Sequence, residues 1–422
     1  MSHSYNAPTT NEGGRHHGDV HDTGQIHAHW RVSTPIALPP EVHWLSESPR
    51  PKRVLVVDDT LSADDAFRIA SAGTAMLWQG DFQNARQLLQ ALARRLDKRC
   101  GKPPNRTPPN PQVGAGNSAI APSEPPDQVS SDAFHRYRMG QAQKARTLGL
   151  LLLPIEAGYV IPLRRAPDVT EACTQALGPF AEAHGALPLR ELQGVIGAYE
   201  WRRKGVMIEA LGTHVHPHYG VFAPVRSEYL DLVANARLPE PCHTAFDLGT
   251  GTGVLAALLA KRGVECIIAT DSSARALTCA QENIVRLHLA KRVTLAGSEL
   301  FPSAPVSADL IVCNPPWLPG KAGSLLEQAV YDPESRMLRG FLSGAAERLS
   351  AHGEAWLILS DLAELLGLRS RDQLLTWIEA GHLTVRERLD TRPSHKRSHD
   401  VDDPLHAARH QETTSLWRLV RR

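Results

Sequence analysis

The chain has no run of about eighteen apolar residues, so it holds no segment long enough to cross a bilayer as a helix, which takes about 20. Its N-terminus lacks the charged-then-apolar pattern of a secretory signal. It has no CxxC pair either. The six cysteines (Cys100, Cys173, Cys242, Cys266, Cys279 and Cys313) are scattered, and several sit in apolar runs. That argues against a disulfide framework and reads as buried thiols in a reducing compartment. The expectation is a soluble, cytoplasmic protein with no membrane partner. Charge imbalance is also missing. A net charge of +1 over 422 residues excludes a protein coated in basic surface, although it leaves room for a local patch. No internal repeat is found. What is present is length and apolar content: 42% of the residues are hydrophobic, enough for two or three domains and a sizeable core.

Residues 1–50 are rich in His, Gly, Pro, Ser and Thr and show no sustained period. Six histidines fall there (His3, His16, His17, His21, His27 and His29). Such tracts can bind metal, but nothing nearby would order a site, so a disordered tail is expected. Residues 51–100 read as a helical segment. Leu88, Leu89, Leu92 and Leu96 recur at helical spacing, and Arg94, Arg95, Lys98 and Arg99 gather at the end. That basic group is either a phosphate contact or, more commonly, a solvated partner for the helix C-terminus. Residues 101–132 form a Pro-, Gly- and Ser-rich linker. Residues 133–242 read as a helical domain followed by a β-hairpin within "VMIEALGTHVHPHYGVFAPV".

From residue 243 to 422 strand and helix patterns alternate. Alternation implies a mostly parallel sheet with helices on both faces. "LTVRERLD" and "SLWRLVR" are strand candidates that can pair antiparallel at its end. The first strand, "TAFDLG", runs into "TGTGVLA". Gly249, Gly251 and Gly253 permit a tight turn and a close approach of backbone to a ligand, and the helix that follows presents free N–H groups. A dinucleotide fingerprint requires GxGxxG. Here position 254 is Val and the glycines fall as GxGxG, which suits a smaller nucleoside ligand. Asp271 closes the second strand about 20 residues on, where a carboxylate can accept both ribose hydroxyls or cap the next helix.

"IVCNPPWLPG", residues 311–320, ends a later strand with Asn314, Pro315, Pro316 and Trp317. Two prolines make this exit rigid. "FDLGTGTG", "ATD" and "NPPW", in this order, resemble the class I S-adenosylmethionine-dependent methyltransferases. More narrowly, they resemble the release-factor glutamine methyltransferases and their small-domain relatives, which methylate planar nitrogens. The resemblance is strong over 243–320, looser over 134–242 and 321–422, and absent over 1–130. It implies a Rossmann-like α/β sheet, mostly parallel with an antiparallel last strand, preceded by a helical region and a hairpin. It also implies S-adenosylmethionine as cofactor, held by Asp247, Gly249, Thr250, Gly251, Thr252, Gly253, Asp271, Glu299, Leu300 and Asn314. Glu299 stands where relatives often have Asp, and Leu300 where they often have an aromatic. The turn before the loop, "APVRSEYL", keeps Glu228 of a "PRPETE"-like pattern, with Ser227 in place of Thr. Asn314, Pro315, Pro316 and Trp317 take the catalytic place, and no metal is implied.

The chemistry gives an independent reason for NPPW. An amide or exocyclic amino nitrogen is a weak nucleophile because its lone pair is delocalised. The Asn314 side-chain oxygen and the Pro315 carbonyl can accept its two N–H protons where positive charge develops, and the prolines hold them in place beforehand. Trp317 offers a flat face to a planar group. Two substrates fit, a glutamine amide of a protein and an adenine or guanine amino group of RNA or DNA, the latter unpaired or flipped out. A third reading, a non-catalytic module that binds cofactor and RNA, leaves NPPW without a purpose. The expected partner is therefore a macromolecule, protein or nucleic acid. The sequence does not address the oligomeric state. Arg336 and Arg339 face either substrate or the sheet edge. His395 and His399, spaced i,i+4, suit either a metal or a solvated loop.

Overall fold

The computed structural model describes residues 34–100, 131–303, 306–393 and 403–422. The C-terminal part is a seven-stranded sheet built from β8 (Thr244–Leu248), β9 (Cys266–Asp271), β10 (Val293–Gly297), β11 (Ala308–Cys313), β12 (Leu349–Ser360), β13 (Leu383–Thr391) and β14 (Thr414–Arg421). Their order is β10-β9-β8-β11-β12-β14-β13. Every neighbouring pair from β10 to β12 is parallel, while β14 runs antiparallel to both β12 and β13. This is the expected sheet, and the two terminal candidates pair as expected. Its central strands are near-continuous apolar runs because helices cover both faces. Phe246, Leu248, Ile311 and Cys313 pack against Leu338, Phe341 and Leu342 on one face. Ala245, Leu310 and Val312 pack against the helix Val254–Lys261, apolar as far as Ala260, on the other.

The chain leaves β8 toward β9 and β10 on one side of the sheet and returns through β11 and β12 on the other. In open α/β sheets the crevice at such a reversal, beyond the C-terminal strand ends, is where ligands bind. The predicted hairpin is present as β6 (Val206–Ile208) paired antiparallel with β7 (Thr213–Val215).

The region before the hairpin departs from the expected all-helical organisation. The expected helices are there, over Phe82–Cys100, Ser131–Leu148 and Leu189–Lys204. They flank a second sheet made of β1 (His43–Trp44), β2 (Val54–Val57), β3 (Ala75–Trp78), β4 (Leu151–Glu156) and β5 (His184–Pro188), in the order β1-β5-β4-β3-β2. The helical segment over 51–100 and the first part of the domain expected over 133–242, through the helix Leu189–Lys204, thus share one α/β unit. Its strands are short and fully buried: Ala75, Met76, Leu77 and Trp78 are all in the core. A buried apolar run of four to six residues carries no alternation, so periodicity cannot separate it from buried helix. For that reason "LGLLLLP", inside the region expected to be helical, carries no strand signal of its own.

The six N-terminal histidines, His395 and His399 lie outside the described residues. Among the described residues no group of three or more His, Cys, Asp or Glu is placed to hold a metal ion, and no helix is long and apolar enough to cross a membrane. Cys173, Cys279 and Cys313 are buried and Cys242 half-buried, as expected of packing thiols, but Cys266 is exposed.

Candidate functional site

Strand pairing brings the three motifs together. Leu248, the last residue of β8, pairs with Cys313 at the end of β11 and with Thr270 near the end of β9. The glycine loop, Asn314 and Asp271 therefore emerge side by side at one end of the sheet, although 65 residues separate Gly249 from Asn314. Gly249, Gly251 and Gly253 have φ of 73°, 55° and 80°, the left-handed region that side chains avoid. The amides of Gly249 and Thr250 donate to the Thr270 carbonyl, at 2.9 and 2.8 Å. A Cβ on Gly251 would meet nothing within 4 Å, whereas one on Gly249 would lie 2.6 Å from the Met337 terminal methyl. The loop is thus open at its centre and walled by Met337 at its start.

Asp271 is half-buried. Its Oδ2 accepts from the Gly251 amide at 3.0 Å and its Oδ1 from the Ser273 amide at 2.9 Å. One oxygen thus steadies the loop and the other the N-cap residue of the next helix. Each oxygen keeps a lone pair, since a carboxylate accepts about four hydrogen bonds. Thr252 is buried and its carbonyl accepts from Asn283 Nδ2 at 3.0 Å. Leu300 is half-buried beside Phe301 and Met337, and Glu299 is exposed.

Asp247 is fully buried in β8. Its Oδ2 accepts from Thr250 Oγ1 at 2.7 Å and the Ala256 amide at 3.0 Å, while Oδ1 has no hydrogen-bond partner among the described residues. Burial pushes its carboxyl up to about 6, against the two hydrogen bonds that lower it. A raised pKa means the fold prefers the protonated acid. That contribution is complete below the unfolded value of 3.8 and is lost as pH rises through about 6. The difference in unfolding free energy between wild type and Asp247→Asn should therefore move by about 2 kcal/mol against wild type between pH 4 and pH 7. Urea titrations of the cofactor-free protein measure it. A difference that stays flat across that range would show that the carboxylate is solvated.

At the β11 exit, Pro315 is buried and Asn314, Pro316 and Trp317 are half-buried. The Trp317 indole N–H donates to Asn314 Oδ1 at 2.9 Å. Indole nitrogen can only donate, so this contact fixes which way the amide faces. Trp317 differs from the free clamp expected. It packs with apolar residues on both faces of the sheet, and the Arg226 guanidinium lies 4.8 Å from its ring centroid. Arg226 is the residue that motif reading missed. Its Nε donates to Glu228 at 2.8 Å and its Nη2 to Glu412 at 3.1 Å, and both carboxylates are buried. The signal was the "APVRSEYL" turn, in which the pattern directs attention to Ser227 and Glu228 and not to Arg226.

Two further surprises lie beside the turn. Asp332 is buried and accepts from the amides of Met337 and Leu338 at 3.0 and 3.1 Å, which seats Met337 against Gly249. Phe134, from the first turn of the helix Ser131–Leu148, is buried with Leu318, the residue after Trp317. From the same helix Arg138 lies 3.5 Å over the Tyr331 ring, so the N-terminal unit touches the segment that follows NPPW. Arg336 and Arg339 are exposed and line a shallow depression with Glu334, and Arg339 lies 5.5 Å over Trp377.

With this geometry in view, the sequence similarities become informative. Residues 213–365 match the family described as the methyltransferase small domain. The release factor glutamine methyltransferase of Cereibacter sphaeroides is 44% identical over 103 residues, which is 24% of this chain and 35% of that protein. The tRNA1(Val) (adenine(37)-N6)-methyltransferase of Parabacteroides distasonis is 40% identical over 81 residues, 18% of this chain and 34% of that protein. The ribosomal protein uL3 glutamine methyltransferase of Bordetella pertussis is 34% identical over 185 residues, 39% and 62% respectively. The chain thus spans from about a third to under two thirds of the length of these relatives. It is the stretch from the hairpin's second strand past NPPW that resembles the methyltransferase small domain.

Proposed function

We propose that this protein is an S-adenosylmethionine-dependent N-methyltransferase whose substrate nitrogen is a glutamine amide of a protein. The observation that carries the reading is the juxtaposition of the glycine loop, Asp271 and Asn314 at adjacent strand ends. The residues present fit the cofactor. Gly251 leaves open space above the loop, and the spare lone pairs of Asp271 match two ribose hydroxyls. Thr250, Thr252 and Gly253 shape the loop, and Leu300 supplies apolar surface for adenine with Glu299 at the rim. S-adenosylmethionine supplies an electrophilic methyl group on sulfur. Asn314 Oδ1, oriented by Trp317, keeps one lone pair for a substrate N–H, and the Pro315 carbonyl takes the other N–H. The two acceptors draw positive charge as the nitrogen is alkylated, and its proton leaves to solvent afterwards. Trp317 and Pro316 shape the turn, with Arg226 on one side of the indole.

Protein substrates are favoured because two of the relatives above are named for glutamine methylation of proteins. The second reading, methylation of an adenine or guanine amino group in RNA or DNA, is supported by the adenine N6 relative. Incubation with radiolabelled S-adenosylmethionine and cell extract, followed by separate nuclease and protease digestion, decides between them. Label that resists nuclease and yields to protease is expected; the reverse would replace the glutamine reading. For the cofactor, Asp271→Ala should weaken binding by about 1–3 kcal/mol, because ribose hydroxyls lose their acceptor. Calorimetry giving wild-type affinity would remove Asp271 from the site.

A further inference from the structure

The chain does not leave the NPPW turn freely. Leu318, directly after Trp317, donates its amide to the Val330 carbonyl at 3.2 Å, and its carbonyl accepts from the Asp332 amide at 2.9 Å. Leu318 and Tyr331 thus form an isolated bridge, and residues 319–330 make a loop closed beside the turn. From Asp332 the chain runs through Glu334 and Ser335, with φ of 57° and 53°. It then enters the helix Arg336–Arg348, whose Met337 lies against Gly249. Two consecutive left-handed residues other than glycine persist only where their surroundings fix them. Residues 318–337 are therefore one strap, tied to the NPPW turn at one end and to the glycine loop at the other.

The helix Ser131–Leu148 of the N-terminal unit grips the closure of that strap with two side chains one turn apart. Phe134 is buried with Leu318, and its ring centroid is 6.5 Å from that of Tyr331. Arg138, four residues on and so on the same helix face, sets its guanidinium 3.5 Å from the Tyr331 ring centroid. Its Nη2 donates to the Lys321 carbonyl at 2.5 Å and lies 3.6 Å from a Glu327 carboxylate oxygen. Nη1 is buried with no hydrogen-bond partner among the described residues, so the ring face is what compensates it. This contact is not what attaches the unit. Arg202 pairs with Glu282 at 2.8 Å, and Arg275 donates to the Ala176 carbonyl at 2.7 Å, both at the helix that follows β9. We propose that Arg138 is a positioning residue for methyl transfer. By holding Tyr331 and the Lys321 carbonyl it keeps the strap closed, and the closed strap fixes Trp317 and, through it, the Asn314 acceptor. The consequence for transfer rests on the N-methyltransferase reading above; the hold on the strap does not.

The test is amide hydrogen exchange of the full chain, read by mass spectrometry. Beside it runs the initial rate of label transfer from radiolabelled S-adenosylmethionine to cell extract at saturating cofactor. Arg138→Met keeps an aliphatic stem and loses the guanidinium. It should speed exchange over residues 318–332 and slow transfer, each about tenfold, at wild-type cofactor affinity and with β8 and β11 unchanged. Arg138→Lys, which restores a cation over the ring, should recover most of both. Tyr331→Leu should match Arg138→Met, and the two combined should do no more than either alone. Unchanged exchange over 318–332 in Arg138→Met would overturn the proposal, as would faster exchange with wild-type transfer. Cofactor affinity and transfer that fall together, with no rescue by lysine, would make Arg138 a structural tie between the units. A wild type that labels nothing refutes the methyl-transfer reading and the positioning role with it; the exchange comparison still shows whether Arg138 holds the strap.

Discussion

An Asn314→Ala protein is expected to fold, to bind S-adenosylmethionine nearly as tightly as wild type, and to transfer methyl about 10²–10³ times more slowly. The rate loss is the usual effect of removing one pre-organised polar contact made where charge develops. Folding is spared because Asn314 lies just past β11 and is half-buried. The substitution removes Asn314 Oδ1, the acceptor of the Trp317 indole N–H. Trp317 is itself half-buried, so the cost to stability stays near 1 kcal/mol. Cofactor affinity is spared because the open loop and Asp271 belong to β8 and β9. Single-turnover rates on the substrate found by labelling separate chemistry from binding. Wild-type transfer by Asn314→Ala would end the nitrogen-clamp reading. A loss of cofactor affinity as large as the loss of rate would move Asn314 from the nucleophile to the cofactor.

What could be seen in the sequence follows from how each signal is carried. Gly249, Gly251, Asp271 and Asn314 act through backbone geometry or a single polar atom at a strand end, so short motifs reveal them. The strands β8, β9, β11 and β12 alternate with helices over enough residues for the pattern to be read. Arg226 and Met337 act through contacts with Trp317 and Gly249 that are far away in sequence, and only the fold puts them there. Arg138 looks like one more charge in a basic helix until the fold sets it over the Tyr331 ring. In the N-terminal unit, β3 and β4 are four and six residues long and wholly apolar or nearly so. Their neighbours Phe82–Cys100 and Ser131–Leu148 have strong helical signals, and these drowned out the sheet between them.

The largest effect on stability should come from Glu354, in the strand beside β11. Its side chain is fully buried, in β12. It accepts from Trp356 Nε1 at 2.8 Å, from Arg418 Nε and Nη2 at 2.8 and 2.9 Å, and from Arg386 Nη1 at 2.8 Å. Arg418 comes from β14 and Arg386 from β13, so one carboxylate ties three strands together. Burial alone would raise its pKa; the Arg418 hydrogen bonds outweigh that and hold it below the ordinary carboxylate value. Glu354→Ala leaves the Arg418 side chain, 7% exposed, with the partly exposed Glu387 in place of its buried partner, and should cost about 3–5 kcal/mol, as when one partner of a buried pair is removed. Glu354→Leu combined with Arg418→Met should cost much less, because the charges left behind, Arg386 and Glu387, are exposed enough to be solvated. A lowered pKa places this contribution above the unfolded value of 4.5. It fades as pH falls through the lower, folded value. Urea unfolding at pH 7 and pH 3 should therefore show a large gap between wild type and Glu354→Ala at the first pH and a smaller one at the second. If Glu354→Ala lay within about 1 kcal/mol of wild type at pH 7, the range of an exposed ion pair, water would have to reach this network, and the rigid seat it gives β12 and the NPPW strand would have to be sought elsewhere.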